Sequence, residues 1–395
     1  MNETFKIISR VPGNEPVPEY LHPDNARQVR DFHGTIPGYL PTPLVSLQDT
    51  AKELGVEKIW VKDESKRFGL NAFKVLGGSY AMGRLLKARL DLETMDFARL
   101  IAPETREKLG DITFVTATDG NHGRGVAWSA AQFGRKSVVY MPFGSSPERL
   151  ENIRSAGADA SIIDGNYDDA VRLAAKQAAE KGWLLVQDTA WDGYEDIPRW
   201  IMEGYCTMGL EALEQLNDAP THIFLQAGVG SMAGAMAGLF TAGLIEKPTI
   251  VIVEPHKADC IFRTAEADDG QLHTVTGSMD TIMAGLACGE PCSLGWEVLK
   301  NTASHFISCP DSAAAYGMRI LGSPAGRDMR IISGESGAAA FGAAASILTD
   351  PDLRRIKDTL GLDESSRLLF ISTEGDTDRE NYRAITWGGK YPANS

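Results

Sequence analysis

Through the middle of the chain, short β-rich runs alternate with helix-length amphipathic segments whose starts and stops are legible. Residues 114–116 read as a strand, 123–133 as a helix closed by Gly134, and 137–141 as the next strand. Ser145 and Glu148 have the spacing of a capping box, with Pro147 in the first turn, and Gly157 ends that helix. A strand at 160–163, a helix at 167–181 stopped by Gly182, and a strand at 183–187 follow. The β-α-β-α-β-α-β order implies a parallel sheet with right-handed crossovers. A second series runs through a helix at 199–216, a strand at 222–226, a Gly-rich turn, a helix at 232–242 and a strand at 249–253. Beyond it come strands at 305–308 and 368–372 and helical patterns at 311–321, 336–348 and 351–360. With no internal repeat and no low-complexity linker, the chain reads as α/β throughout.

Composition narrows the class. The 395 residues suit two domains, and 43% hydrophobic with 23% charged residues excludes a disordered chain or a coiled coil. With 39 basic against 53 acidic residues the net charge is -14, which disfavours nucleic acid and anionic membranes as partners. Residues 1–16 lack a secretory pattern, and the apolar stretch at 338–348 is too short to span a bilayer, so a soluble, cytoplasmic protein is expected. Five cysteines without a CxxC pair argue against a disulfide scaffold and against a zinc site, so no metal is expected and the thiols read as buried. Glycine is the outlier, 40 residues or about 10% against a usual 7% or so.

Many of the informative glycines fall where a strand gives way to a helix. Asp119-Gly120-Asn121-His122-Gly123 follows the first strand, and Gly228-Val229-Gly230-Ser231 follows the strand ending at Gln226. Such loops aim backbone N–H groups at an anion, although GxG alone reads equally well as a turn that needs glycine. A dinucleotide fingerprint would need glycine at 233, where Ala233 stands, and no Walker lysine is present. A phosphate monoester fits better. Lys74, in Asn71-Ala72-Phe73-Lys74-Val75-Leu76-Gly77-Gly78, lies between apolar neighbours after a polar loop. It reads either as an amine nucleophile with a lowered pKa or as a snorkelling surface lysine.

Taken in order, Asn71 to Lys74, Thr118 to Gly123, the Gly-rich loop and Ser372-Thr373-Glu374-Gly375-Asp376 resemble the pyridoxal phosphate enzymes of the tryptophan synthase β-subunit fold, fold type II. The longer strings at 61–74, 118–128, 187–191 and 372–378 resemble, more narrowly, the diaminopropionate ammonia-lyases. The resemblance implies two open, twisted, mostly parallel α/β domains. The motif order suggests a large domain from 1–92 and 190–395 around a small inserted domain at 93–189. A homodimer is also implied.

The roles it implies are specific. Lys74 holds pyridoxal 5'-phosphate as an internal Schiff base and later serves as a base. The N–H groups of Gly228, Val229, Gly230, Ser231 and Met232 hold the phosphate, Asn121 bonds the phenolic oxygen, and Ser372, with Thr373 as neighbouring candidate, lies beside the pyridine nitrogen. Asp119 stands where serine and threonine dehydratases carry a serine. It is expected to take the Cα proton of the D-enantiomer while Lys74 handles the L-enantiomer, and Asp119 or Asp188 to pair with the ammonium of a β-amino substrate. A helix cap at Asp119 and a strand end at Asp188 are the structural alternatives. The reaction implied is α,β-elimination of D- or L-2,3-diaminopropionate to pyruvate and two ammonia. Serine, threonine or D-serine dehydration is the nearest rival, and a non-catalytic phosphate-metabolite-binding protein the rival of another class. His122 is a candidate acid for the leaving amine or a structural histidine, and Cys260 and Cys288 are candidates for a reversible disulfide at the site entrance.

Overall fold

The computed structural model describes residues 5–118 and 120–392. Eleven strands run among them in chain order: β1 (Lys6–Ser9), β2 (Leu44–Ser46), β3 (Lys58–Asp63), β4 (Thr113–Ala117), β5 (Lys136–Met141), β6 (Asp159–Ile162), β7 (Leu184–Leu185), β8 (His222–Gln226), β9 (Thr249–Pro255), β10 (His305–Cys309) and β11 (Arg367–Ser372). They form two sheets in two compact units.

The first unit comprises Met1–Pro23, Pro41–Lys66 and Met208–Ser395. Its seven-stranded sheet has the order β1-β10-β9-β8-β11-β3-β2. The interior pairs are parallel, while β1 and β2 close the edges antiparallel. β8 is buried along its whole length, as a parallel strand covered on both faces must be. β8 and β3 flank β11, so Ser372 is level with Asp63 and Phe370 with Phe224. Phe370 stacks on Phe224 at 5.5 Å and meets Phe341 of helix Glu335–Thr349 edge-on at 5.2 Å. That helix is rich in alanine and glycine because it packs backbone to backbone on helix Asp311–Gly322. A Cβ on Gly342 would lie 1.9 Å from the Ala313 carbonyl oxygen. Part of the glycine excess therefore serves helix packing rather than loops.

The second unit comprises Asp24–Leu40 and Arg67–Thr207. Its four strands are all parallel, in the order β6-β5-β4-β7, as the alternating pattern implied. These bounds are wider than 93–189, because helix Val75–Leu90 packs closely on helix Asn121–Gln132, where Gly78 faces Gly125 and Val126. Two local readings are corrected. Ser145 does not cap the helix Pro147–Ser155; Ser146 is its N-cap, and the Ser145 hydroxyl donates instead to the Pro142 carbonyl at 2.8 Å. The capping box of this unit is Asn166 with Asp169, before helix Tyr167–Lys181. The strand expected at 183–187 is only Leu184–Leu185, for a reason that bears on the site. No helix among the described residues is long and apolar enough to cross a membrane.

Candidate active site

In the second unit, the sequence brings a lysine, a carboxylate and an imidazole together. Lys74 immediately precedes helix Val75–Leu90, and its backbone is held against helix Asn121–Gln132. A Cβ on Gly125 would lie 2.9 Å from Val75 N and 3.1 Å from the Lys74 carbonyl carbon, so only glycine permits that approach. The Lys74 Nζ donates to Asp188 Oδ2 at 2.5 Å, with the two side chains 20% and 6% exposed. Lys74 is thus no snorkelling surface lysine.

His122 completes the cluster. Its Nε2 donates to the Val186 carbonyl at 2.8 Å, and a carbonyl can only accept, so this nitrogen carries a proton. The other nitrogen, Nδ1, then faces Asp188 Oδ2 at 3.8 Å. Burial works to raise the Asp188 pKa, yet the positive charges of a protonated His122 and of Lys74 together outweigh it and hold the carboxyl well below the usual carboxylate range. Asp188 is therefore a fixed buried anion, and it lies beyond the end of β7 rather than terminating the strand.

Around this cluster the β4 loop is pinned by Thr118, whose Oγ1 accepts from Gly120 N at 2.9 Å and Gly123 N at 3.1 Å. Thr118 thus supplies the side-chain acceptor at the start of helix Asn121–Gln132, and Asn121 and His122 open that helix. Asp119 lies outside the described residues.

The first unit supplies a different chemistry. β8 ends at Gln226 and leads through Ala227 into Gly228, Val229 and Gly230, which opens helix Ser231–Gly243. Gly230 has φ +94 and no side chain caps this helix. A Cβ on Gly230 would meet Ile261 Cδ1 at 3.0 Å, and one on Gly228 would meet Cys288 Sγ and Leu286 Cα at 3.2 Å. The Val229 carbonyl is fixed by Cys292 N at 2.7 Å. A glycine loop held from outside, running into the uncapped N-terminus of a buried helix and continuing through Ser231 and Met232, has the donors and the dipole that could cradle a phosphate dianion. These residues fit the phosphate of the cofactor that the motifs implied.

Beside the cradle, the buried Gln226 Nε2 donates to the Ile371 carbonyl at 2.9 Å and to Thr373 Oγ1 at 3.1 Å, tying the strand before the cradle to the end of β11. Ser372 Oγ lies 2.8 Å from Ser333 Oγ, and both serines are buried. Ser333 has no motif of its own and was missed in the sequence; Gln226, the last residue of a legible strand, could have been found. Cys260 and Cys288 are both free thiols, so the disulfide suggested for them is not formed. They flank Gly228, Cys260 Sγ lying 3.6 Å from its carbonyl oxygen. Burial, followed by the charges of Glu254 and Cys288, pushes the Cys260 thiol well up, which keeps it protonated and unreactive.

Residues 35–360 match the family model described as pyridoxal-phosphate dependent enzyme. The chain is 52% identical over 378 residues to the diaminopropionate ammonia-lyase of Salmonella typhimurium, covering 94% of each chain. It is also 52% identical over 373 residues to that of Escherichia coli K12, covering 93% of this chain and 92% of the other. The crystal structure of the Escherichia coli diaminopropionate ammonia lyase in complex with D-serine superposes with a TM-score of 0.93 at 48% identity, covering 99% of this chain and 98% of that one.

Proposed function

Because this chain belongs to the pyridoxal-phosphate dependent enzymes, we propose that it eliminates ammonia from D- and L-2,3-diaminopropionate, with pyridoxal phosphate as its cofactor. One water is consumed per turnover, and the products are pyruvate and two ammonia. The cofactor, when bound, takes up the Lys74 amine and supplies an electron sink for the bond broken at Cα.

The observation that carries the choice of substrate is the buried Lys74–Asp188 pair, at 2.5 Å. Once the Lys74 amine is committed elsewhere, Asp188 is a buried anion that has lost a cationic partner, which is an unfavourable arrangement. The β-ammonium of diaminopropionate restores the pair, and the hydroxyl of serine does not. That asymmetry favours the diamino acid over serine or threonine.

The remaining roles extend this reading. Lys74 takes the Cα proton of the L-substrate and Asp119 that of the D-substrate. His122, with Nδ1 turned towards Asp188, keeps the β-nitrogen in the ammonium form that pairs with Asp188 and leaves as ammonia. Gly228, Val229, Gly230, Ser231 and Met232 bind the phosphate through their N–H groups, Asn121 bonds the phenolic oxygen, and Ser372, with Thr373 beside it, faces the pyridine nitrogen. We read the protein as a cytoplasmic homodimer whose partner is a small amino acid. A non-catalytic role is disfavoured by 52% identity to lyases along 94% of the chain.

Absorption spectroscopy tests the assignment of Lys74. Purified protein with pyridoxal phosphate should show a visible band that borohydride bleaches, leaving the cofactor attached to Lys74 on peptide mapping, and Lys74→Ala should lack both. Attachment at another lysine would overturn the assignment.

A further inference from the structure

Asp188 stands at the point where β7 leaves its sheet. β7 pairs with β4 only at Phe114 with Leu184 and Val115 with Leu185, and the last backbone rung is Val186 N to the Val115 carbonyl at 2.9 Å. The next donor on β4, Ala117 N, is met by a side chain instead: Gln187 Oε1 accepts from it at 3.1 Å and from Thr116 Oγ1 at 3.1 Å. Gln187 Nε2 donates in turn to the Tyr167 hydroxyl at 2.9 Å. The side chain of residue 187 thus continues the ladder while the backbone turns away from it.

Val186 N–H points to β4, so on this edge strand Gln187 N–H faces the other way, and a buried amide must find an acceptor. Tyr194 provides it. Its hydroxyl accepts from Gln187 N at 2.9 Å and donates to the Leu185 carbonyl at 3.0 Å, bracketing the residue before Asp188. The ring is held by a tight turn, Tyr194 N to the Trp191 carbonyl at 2.8 Å, and by stacking on the Trp191 indole at 4.3 Å and 15°. Burial pushes the phenol far above its ordinary value, the Gln187 bond opposing and the Asp188 charge adding to it, so the hydroxyl keeps the proton it donates.

We propose that Tyr194 is a positioning residue that fixes Asp188 through the backbone of Gln187, and so sets the preference for a β-amino substrate. The inference rests on the role given above to Asp188. It makes the selectivity of the enzyme depend on a phenol whose hydroxyl, among the described residues, bonds only to the segment that carries Asp188.

A double-mutant cycle on the cofactor-loaded enzyme tests it, with kcat/KM measured for L-diaminopropionate and for L-serine. Tyr194→Phe keeps the ring and deletes the latch, and should lower kcat/KM for the diamino acid by about 10- to 100-fold while leaving that for serine within about threefold. In an Asp188→Asn background the same change should cost less than about threefold, because its target is gone. Equal losses for both substrates, equal losses in both backgrounds, or no loss from Tyr194→Phe would each overturn the proposal. Full diaminopropionate activity in Asp188→Asn alone would overturn the parent role of Asp188, and this inference with it. Loss in Asp188→Asn beside an unaffected Tyr194→Phe sinks only the role of Tyr194. If Tyr194→Phe does not fold, Trp191→Leu frees the Tyr194 ring from its stacked neighbour and should give the same substrate split and the same loss of effect in Asp188→Asn, and an unchanged preference would overturn the proposal.

Discussion

Gly125 lies against the backbone of Lys74: a Cβ at Gly125 would be 3.1 Å from the Lys74 carbonyl carbon and 2.9 Å from Val75 N. Both obstacles are backbone, so the helix start cannot yield as a flexible side chain would. Gly125→Ala should destabilise the protein by about 1–3 kcal/mol through overpacking. It should also displace Lys74 from Asp188. Urea denaturation of the variant checks the first effect, and an unchanged midpoint would show that the two helices separate at no cost.

A different glycine governs the phosphate cradle. Gly230 has φ +94, a left-handed conformation that costs an L-residue about 1–2 kcal/mol, and its Cβ would sit 3.0 Å from Ile261 Cδ1. Gly230→Ala should therefore weaken cofactor binding by about tenfold or more, while the neighbouring Val229→Ala, free of that strain, should change it little. Equilibrium dialysis of pyridoxal phosphate against the two variants measures the difference. Equal affinities would place the phosphate elsewhere.

The pH dependence of folding follows from Asp188. Its folded pKa is depressed below the unfolded value of about 3.9, so its ionisation stabilises the fold fully above that pH. The contribution is lost as pH falls from there through the folded pKa. For ligand-free protein, the stability difference between wild type and Asp188→Asn should stay level from about pH 6 to 8 and shrink below about pH 4. Denaturation midpoints across that range measure it. A difference that grows on acidification would mean that Asp188 is not held as an anion.

Much of the chemistry could be read from the sequence because it lies in contiguous strings. Lys74 sits in one, Asn121 and His122 in another, and the cradle follows a strand whose last residue, Gln226, was placed correctly. What could not be read depends on distant chain segments. That β11 lies between β8 and β3 is a long-range register, set by Phe370 meeting Phe224 across the sheet. The shortness of β7 comes from a side chain, Gln187, replacing a backbone rung, which no periodicity records. Ser333 was invisible for the same reason: a single serine becomes meaningful only 2.8 Å from Ser372. Gly342 lies in a stretch legible as helix, but its role as a contact point between two helices is set by Ala313 on a distant segment and so left no mark in the sequence.

The central claim, that this enzyme eliminates the β-amino group of diaminopropionate in either configuration and releases the α-amino group by hydrolysis, is tested most directly by product stoichiometry. Pyruvate and ammonia should be counted from D- and L-2,3-diaminopropionate and from D- and L-serine, with wild type and with Asp119→Asn. The account predicts two ammonia per pyruvate from both diaminopropionate enantiomers, slower turnover of serine, and a larger loss for the D- than for the L-diamino acid in Asp119→Asn. Faster release of pyruvate from serine than from either diaminopropionate would contradict it.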